Sequence, residues 1–545
     1  MKHRHVFILS LFIFSFFSLI FHTQIPTTWP DEVLFFNPSW ELMANGTMRT
    51  SVLTGLIPGM DTHTLWMPPL YIIFLSGIMH IFPSELLTAR LLSSFISLGS
   101  IYLVYKICLE FQFSPKRIIS VLLLLATDFL FLKFSHTARM ESLCLFFALG
   151  AFYFLIRGNF CHGDTETQRG GARRDAMNRV STKNIFFSGI CLSLSFLSHP
   201  FGIVHSIPVL FLLYQRNSLN IKNLALYGVA GLLPIAAWGI YVIPNWELFI
   251  VQFGAQLSRK NELLGKFTWL DKVKIIFSVY KFPVVKLALF ALTIGILFLS
   301  APFWNRSPFA KGLGDFWDKE GFTRWQRSFE SFFLVWLFTI LGFLIVSSES
   351  WYVFHLVVPF TLVLSSVIEK ENLVTRLLLA ISILYNIIVV IWVPYSHYFV
   401  YKSPERTQEF FELIEKEIER KNNIYLQVFP DPYFYLKKKF PDKTLFEFIP
   451  GELSAIQKTN PDGTEKISLL KRLGISKENY KIDANFYKET IRKQEVFLFY
   501  NETLMNDYIR EYLKDNTNKF ERKIIQVETR KGSDLKLEVV LYRKK

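Results

Sequence analysis

Eleven apolar stretches, at about 6–22, 88–108, 117–135, 142–157, 185–199, 202–215, 223–243, 284–300, 331–348, 352–368 and 374–393, decide what this chain can fold into. A bilayer crossing takes roughly 20 apolar residues, because backbone in hydrocarbon must satisfy its own N–H and C=O groups within a helix. Some stretches are short for that, yet no soluble core needs so many. The sequence therefore predicts a polytopic α-helical membrane protein of about eleven transmembrane helices plus juxtamembrane helices. Composition agrees: 51% of residues are hydrophobic and 19% charged, against about 25% charged in ordinary soluble domains. A soluble enzyme, a collagen-like chain and a disordered tail are excluded.

The net charge of +15 does not point to nucleic acid, because Lys and Arg collect in short loops between apolar runs. Lys2 and Arg4 precede the first run, and Gln24-Ile25-Pro26 after it offers no small-residue cleavage site, so an uncleaved helix with an inside N-terminus is expected. The run from Pro69 to Phe82 decides the rest. If it lies along the membrane surface, the basic segments 106–117, 157–183, 216–222, 305–327 and 370–376 all fall inside. Its shortness and its Pro68-Pro69 start favour that reading. The segment 245–283 must then be external although it carries Arg259, Lys260 and four further lysines, which suits either an anion site or a solvated amphipathic stretch. Cys108, Cys144, Cys161 and Cys191 form no CxxC pair and indicate neither zinc nor a disulfide framework.

After residue 393 half of the chain's charged residues crowd into its last quarter or so. The division expected is a membrane domain over 1–393 and an extracytoplasmic α/β domain over 394–545. Its helix-like segments are 404–421, 432–439 and 502–514, and its strand-like ones are 424–429, 495–500 and 535–542.

With that topology, polar residues from distant loops converge on the external side: Asp31-Glu32, Arg90, His136, Arg139, Glu141, His199 and Glu349-Ser350-Trp351-Tyr352. Carboxylates beside cations at a membrane surface suit removal of a hydroxyl proton and stabilisation of a departing anion. Each also has a structural reading. Asp31-Glu32 and Glu141 fit helix starts, where acids cap and complement the dipole; Arg90 fits a snorkelling anchor; His199-Pro200 fits a helix end; Trp351-Tyr352 fits an aromatic belt. Asp128, inside an apolar run, is either functional or a bundle contact. No Walker loop, dinucleotide glycine fingerprint, HExxH or GxSxG occurs.

Taken in order, Asp31-Glu32, Pro68-Pro69-Leu70-Tyr71, Ala89-Arg90-Leu91, Ala138-Arg139-Met140-Glu141 and Leu197-Ser198-His199-Pro200-Phe201-Gly202 resemble the GT-C glycosyltransferases of the protein O-mannosyltransferase and lipid A aminoarabinose transferase type. The resemblance implies transfer of a monosaccharide from a polyprenyl-phosphate carrier to a hydroxyl acceptor, a glycolipid such as lipid A or a protein, with inversion, in a bacterial inner membrane. It makes Asp31 the base, with Glu32 and Glu141 positioning the substrates and Arg90 facing the phosphate or supporting the site. Arg139, His199 and Tyr352 are candidate substrate contacts, and Arg259 and Lys260 join them on charge and side alone. Where the aminoarabinose enzymes carry an acidic residue and a lysine, this chain has Trp66-Met67, and it lacks the His that precedes Pro-Pro in the mannosyltransferases. No nucleotide pocket is required, no cofactor is assigned, and a divalent metal stays open, with Asp61 and His63 the nearest candidate ligands. The rival reading is a transporter or flippase of lipid-linked sugars, for which Asp128 is the support.

Overall fold

The computed structural model describes residues 2–19, 27–54, 59–157, 180–254, 268–280, 282–300, 329–347, 350–368, 373–395, 404–447, 484–505, 507–529 and 536–545. Its helices are α1 Lys2–Leu19, α2 Pro30–Asn45, α3 Leu70–Met79, α4 Leu86–Glu110, α5 Pro115–Ala126, α6 Phe129–Ser135, α7 Glu141–Ile156, α8 Thr182–Ser198, α9 Ser206–Gln215, α10 Ile221–Val242, α11 Trp269–Ser278, α12 Pro283–Ser300, α13 Phe329–Ser347, α14 Val357–Ile368 and α15 Leu373–Tyr395. Every apolar stretch picked out above carries helix. Among the described residues four helices are long and apolar enough to cross a membrane: Leu86–Glu110, Ile221–Gly254, Glu330–Ser347 and Leu373–Val393. Two bent pairs bring the number to six if each is one span.

The first bent pair departs from the expectation of one continuous helix over 117–135. Helix α5 ends at Ala126 and α6 starts at Phe129, bent by 55°. Asp128 causes the break by capping α6: its Oδ1 accepts the N–H groups of Leu130 at 2.9 Å and Phe131 at 3.2 Å. The run beginning at Pro69 folds as the ten-residue α3, too short to cross by itself.

The C-terminal part adds α16 Pro404–Ile418, β1 Asn423–Gln427, α17 Tyr433–Lys439, β2 Thr444–Glu447, α18 Ala484–Lys493, β3 Val496–Phe499, α19 Asp507–Asp515, β4 Phe520–Glu528 and β5 Lys536–Lys544. Its sheet runs β2-β1-β3-β5-β4. Strand β1 lies parallel to both β2 and β3, with Ile424 opposite Leu445 and Val496, while β5 runs antiparallel to β3 and β4. The central β1 and β3 are covered on both faces, with residues 424–426 of β1 and all of β3 apolar. Edge strand β4 carries Glu521, Arg522 and Lys523 on exposed positions, which blunts edge-to-edge pairing.

Two apolar cores organise the chain. One fills the bundle around Phe131, Phe152, Trp336 and Phe354. The other is continuous from α2 and α3 (Val33, Leu34, Phe36, Tyr71) into the C-terminal sheet (Ile424, Phe497, Val539). The helix bearing Asp31 and Glu32 is therefore buried against the C-terminal unit, which fixes where its N-terminus points.

Candidate active site

Helix α2 begins at Pro30, whose missing N–H costs nothing in the first turn. Trp29 precedes it in extended conformation, donating its N–H to Glu32 Oε2 at 3.2 Å and accepting the Glu32 N–H at 2.9 Å. This places Asp31 and Glu32 side by side and gives them different surroundings. Glu32 and Arg90 side chains are both 0% exposed and form a two-pronged pair, Nε to Oε1 at 2.9 Å and Nη2 to Oε2 at 2.7 Å. Glu32 Oε1 also accepts the Ala138 N–H at 2.8 Å. Both oxygens of Glu32 are thus committed, and with them α2, α4 and the loop before α7 are tied together.

Asp31 is left more open. Its side chain is 26% exposed, and its Oδ2 is held by Nη1 of Arg139. The same guanidinium grips Glu141, with Nε 3.0 Å from Oε1 and 3.2 Å from Oε2, and Nη2 2.6 Å from Oε1. Glu141 is fully buried at the first turn of α7, so its charge is compensated both by Arg139 and by the helix end. Arg139 is clamped from the flanks too, with its Cζ 4.6 Å from the Trp351 ring centre and 5.4 Å from that of Phe35. Three carboxylates and two guanidiniums leave one net negative charge on the cluster. Among the described residues, Asp31 Oδ1 has no hydrogen-bond partner, so that charge is offered at Asp31.

Trp351 roofs this cluster, tilted 56° against Trp29 with centroids 6.1 Å apart, while Lys133 at the end of α6 lies 5.3 Å from the Trp351 ring. Tyr352 and His199 turn the other way, into a buried aromatic group. Their rings are 5.1 Å apart, and Tyr352 also meets Phe201 at 5.0 Å. His199 Nδ1 accepts the Phe201 N–H at 2.9 Å, capping the 3₁₀ turn Pro200–His205. Gly202 in that turn has no alternative, since a Cβ there would sit 2.4 Å from Phe196 N.

The structure thus brings Asp31, Glu32, Arg90, Arg139 and Glu141 into one contiguous cluster, with Trp351 linking it to Tyr352 and His199. Arg259 and Lys260 lie outside the described residues, as does Glu349. Asp61 and His63 share a turn, where the carbonyl of His63 accepts from Gln252 at 3.0 Å and its ring lies 5.7 Å from Tyr241. Among the described residues one group has three ligand-type side chains close together, Cys144, His205 and His355, all buried. Trp336 donates its indole N–H to His205 Nδ1 at 3.2 Å. Neutral His205 must then carry its proton on Nε2, the nitrogen without a partner. A donor rather than a lone pair is free there, which does not suit a preformed metal site.

Two elements of the site gave no sequence signal. The pairing of Arg90 with Glu32 and of Arg139 with Asp31 depends on the third dimension. So does the approach of the loop after β1: Phe429 packs edge-on against Trp29 at 5.4 Å, and the Asp431 N–H reaches the Thr28 carbonyl at 3.4 Å. Farther from the site, Lys286 pairs with Asp128 Oδ2 at 3.2 Å at the α5–α6 break, its ammonium over the rings of Tyr280, Phe360 and Tyr385.

No family model matches the chain, and no curated protein does. Solved structures do. The chain is similar to ArnT from Cupriavidus metallidurans bound to undecaprenyl phosphate, with 12% identity, a TM-score of 0.59 and coverage of 97% of each chain. The apo form of the same protein aligns with a TM-score of 0.40 at 12% identity, over 94% of this chain and 93% of that one. At 12% identity the likeness speaks for architecture, and over 97% of its length this chain has the fold of ArnT.

Proposed function

We propose that the protein is an integral membrane glycosyltransferase that moves a monosaccharide from a polyprenyl-phosphate carrier to a hydroxyl acceptor, a glycolipid or a protein. The reading places it in a bacterial inner membrane, with the N-terminus cytoplasmic and the site and C-terminal unit on the extracytoplasmic face. One observation carries it: among the described residues, Glu32 and Glu141 of the three clustered carboxylates are buried and saturated, while the Asp31 side chain is 26% exposed and its Oδ1 has no hydrogen-bond partner. The fold supports it as well, since a protein of the same architecture is seen with undecaprenyl phosphate bound.

In this mechanism Asp31 Oδ1 takes the proton of the acceptor hydroxyl as the acceptor oxygen bonds to the anomeric carbon. The bond from that carbon to the phosphate oxygen breaks, and polyprenyl phosphate leaves with the electron pair. Attack opposite the leaving group inverts the centre. Arg139 holds Oδ2 and leaves Oδ1 to the acceptor hydroxyl, and Glu141 holds Arg139. Because Arg90 and Arg139 are neutralised by carboxylates, charge for the departing phosphate comes from elsewhere on this side; Lys133, Arg259 and Lys260 are the cations assigned to it.

The test is Asp31→Asn, which keeps size and the Arg139 contact while removing the base. Transfer falls by about 100-fold or more while the thermal unfolding profile stays that of wild type; an Asp31→Asn protein that transfers at the wild-type rate removes Asp31 from the mechanism. The transporter reading rests on the buried Asp128–Lys286 pair at a broken helix. It predicts movement of the lipid-linked sugar across vesicles without release of polyprenyl phosphate.

A further inference from the structure

Trp29 stands two residues before Asp31 and is 42% exposed, although its immediate partners are largely covered. Two other parts of the chain converge on it. Trp351, from the 3₁₀ segment Ser350–Leu356, tilts against it with centroids 6.1 Å apart, and Phe429, from the loop after β1, meets it edge-on at 5.4 Å and 73°. The Trp29 backbone is fixed by its two hydrogen bonds with Glu32. The loop bearing Phe429 is fixed by Asp431 N–H to Thr28, by a 3.2 Å hydrogen bond from Asn37 Nδ2 to the Tyr433 hydroxyl, and by Phe434 against Phe36 at 4.6 Å. A tryptophan that merely marks the membrane edge needs neither a second indole nor a ring delivered by the soluble unit. A rigid, framed indole left open beside a carboxylate has the properties of a recognition surface: low entropy cost, large apolar area and a defined orientation.

Sugar rings carry an apolar C–H face bounded by hydroxyls, which matches an indole face adjoining Asp31. We propose that Trp29, framed by Trp351 and Phe429, is the stacking platform for a sugar ring of the substrates, holding it so that the reacting hydroxyl or anomeric carbon lies over Asp31. The proposal rests on the transferase reading and extends it in two ways. It names a specificity residue outside the charged cluster, and it gives the C-terminal unit a part in the site, because Phe429 forms one wall of the platform. The ring is that of the transferred sugar or that of a glycolipid acceptor, and the test separates them.

Trp29→Ala, Trp29→Leu, Trp29→Phe and Phe429→Ala are compared with wild type in steady-state transfer, varying donor and acceptor separately. Loss of stacking raises KM about tenfold for the substrate whose ring is stacked, with kcat within about twofold, in both Trp29→Ala and Trp29→Leu. Trp29→Phe stays within about threefold of wild type, and Phe429→Ala shifts the same KM in the same direction by less. A KM change for donor alone assigns the transferred sugar, and one for acceptor alone assigns the glycolipid. The platform is overturned if both KM values stay within about twofold in Trp29→Leu, or if kcat falls with both unchanged. Binding is measured in parallel, by fluorescence titration of wild type and Trp29→Leu with undecaprenyl phosphate, undecaprenyl-phosphate mannose and lipid A. If wild type turns over no donor, the transferase reading fails while the platform is still judged: weaker binding of a sugar-bearing lipid, and not of undecaprenyl phosphate, in Trp29→Leu supports it, and equal binding of all three by both proteins overturns it.

Discussion

Replacing Arg90 by Met strands a carboxylate. Glu32 keeps the N–H groups of Trp29 and Ala138 but loses both guanidinium contacts, of 2.9 and 2.7 Å, at a position with 0% exposure. Removing one partner from such a pair costs about 3–5 kcal/mol, because an uncompensated charge stays buried. Replacing Glu32 as well should return much of that loss. Gln is the right second substitution, since its carbonyl can still accept from Ala138 or Trp29, whereas Leu orphans both donors at about 1–3 kcal/mol each. Arg90→Met/Glu32→Gln is therefore expected to lie at least about 2 kcal/mol above Arg90→Met. The chain supplies its own probe, because Cys108 and Cys144 are buried and Cys191 is partly so. Thermal unfolding followed with a thiol-reactive dye in detergent micelles reports their exposure. The reasoning is refuted if Arg90→Met loses less than about 1 kcal/mol, or if the double variant is less stable than the single one.

Arg139→Lys keeps a positive charge but cannot span Asp31 and Glu141 together as the guanidinium does; kcat for transfer is expected to drop roughly 10- to 100-fold with little change in thermal stability, and wild-type kcat would show that the double grip is unnecessary. At the α5–α6 break, Asp128→Asn and Lys286→Met each destabilise by about 3 kcal/mol while the double variant recovers. Dye-monitored unfolding checks this, and additive losses would deny the coupling. In the C-terminal unit, burial pushes the Asp431 carboxyl up to about 7, against a hydrogen bond from the Tyr433 N–H and with Glu32 nearby, and burial next to Asp431 raises Glu447 well above the usual carboxylate range. The folded state then holds protons that the unfolded chain releases near pH 4. That stabilisation is complete at acid pH and lost as pH rises through about 7. Stability at pH 8 should lie below that at pH 5.5, and Asp431→Asn should flatten the difference; an unchanged pH profile in that variant would refute the assignment.

The helical character of every apolar stretch was legible because a long apolar run admits few other structures. The break at Asp128 was not, since a polar residue in such a run reads equally as a bundle contact until its Oδ1 is seen capping α6. In the C-terminal unit the segments around β1, β3 and β5 stood out by their apolar residues. Strand β2 is only four residues long, and β4, studded with Glu521, Arg522 and Lys523, reads as a charge run. The helix from Glu502 predicted as one element is a 3₁₀ turn, Glu502–Leu504, followed by α19. At the site, the residues alone placed Asp31 and Glu32 together without dividing their roles, and only the family resemblance made Asp31 the base; in the structure their surroundings are set apart by Arg90 from α4 and Arg139 from the loop before α7. Phe429 was invisible for a related reason: an aromatic residue after a strand says nothing about which helix the sheet will dock on.

The central claim is tested most directly by acceptor-dependent release of polyprenyl phosphate. Wild-type protein in lipid vesicles, with membrane extract as acceptor, is given a panel of polyprenyl-phosphate sugars, and Asp31→Asn is run beside it. The account predicts release by wild type from one donor, dependent on acceptor, and release reduced to background by Asp31→Asn. Folded wild-type protein that consumes no donor in the panel, or Asp31→Asn that releases as much as wild type, would contradict it.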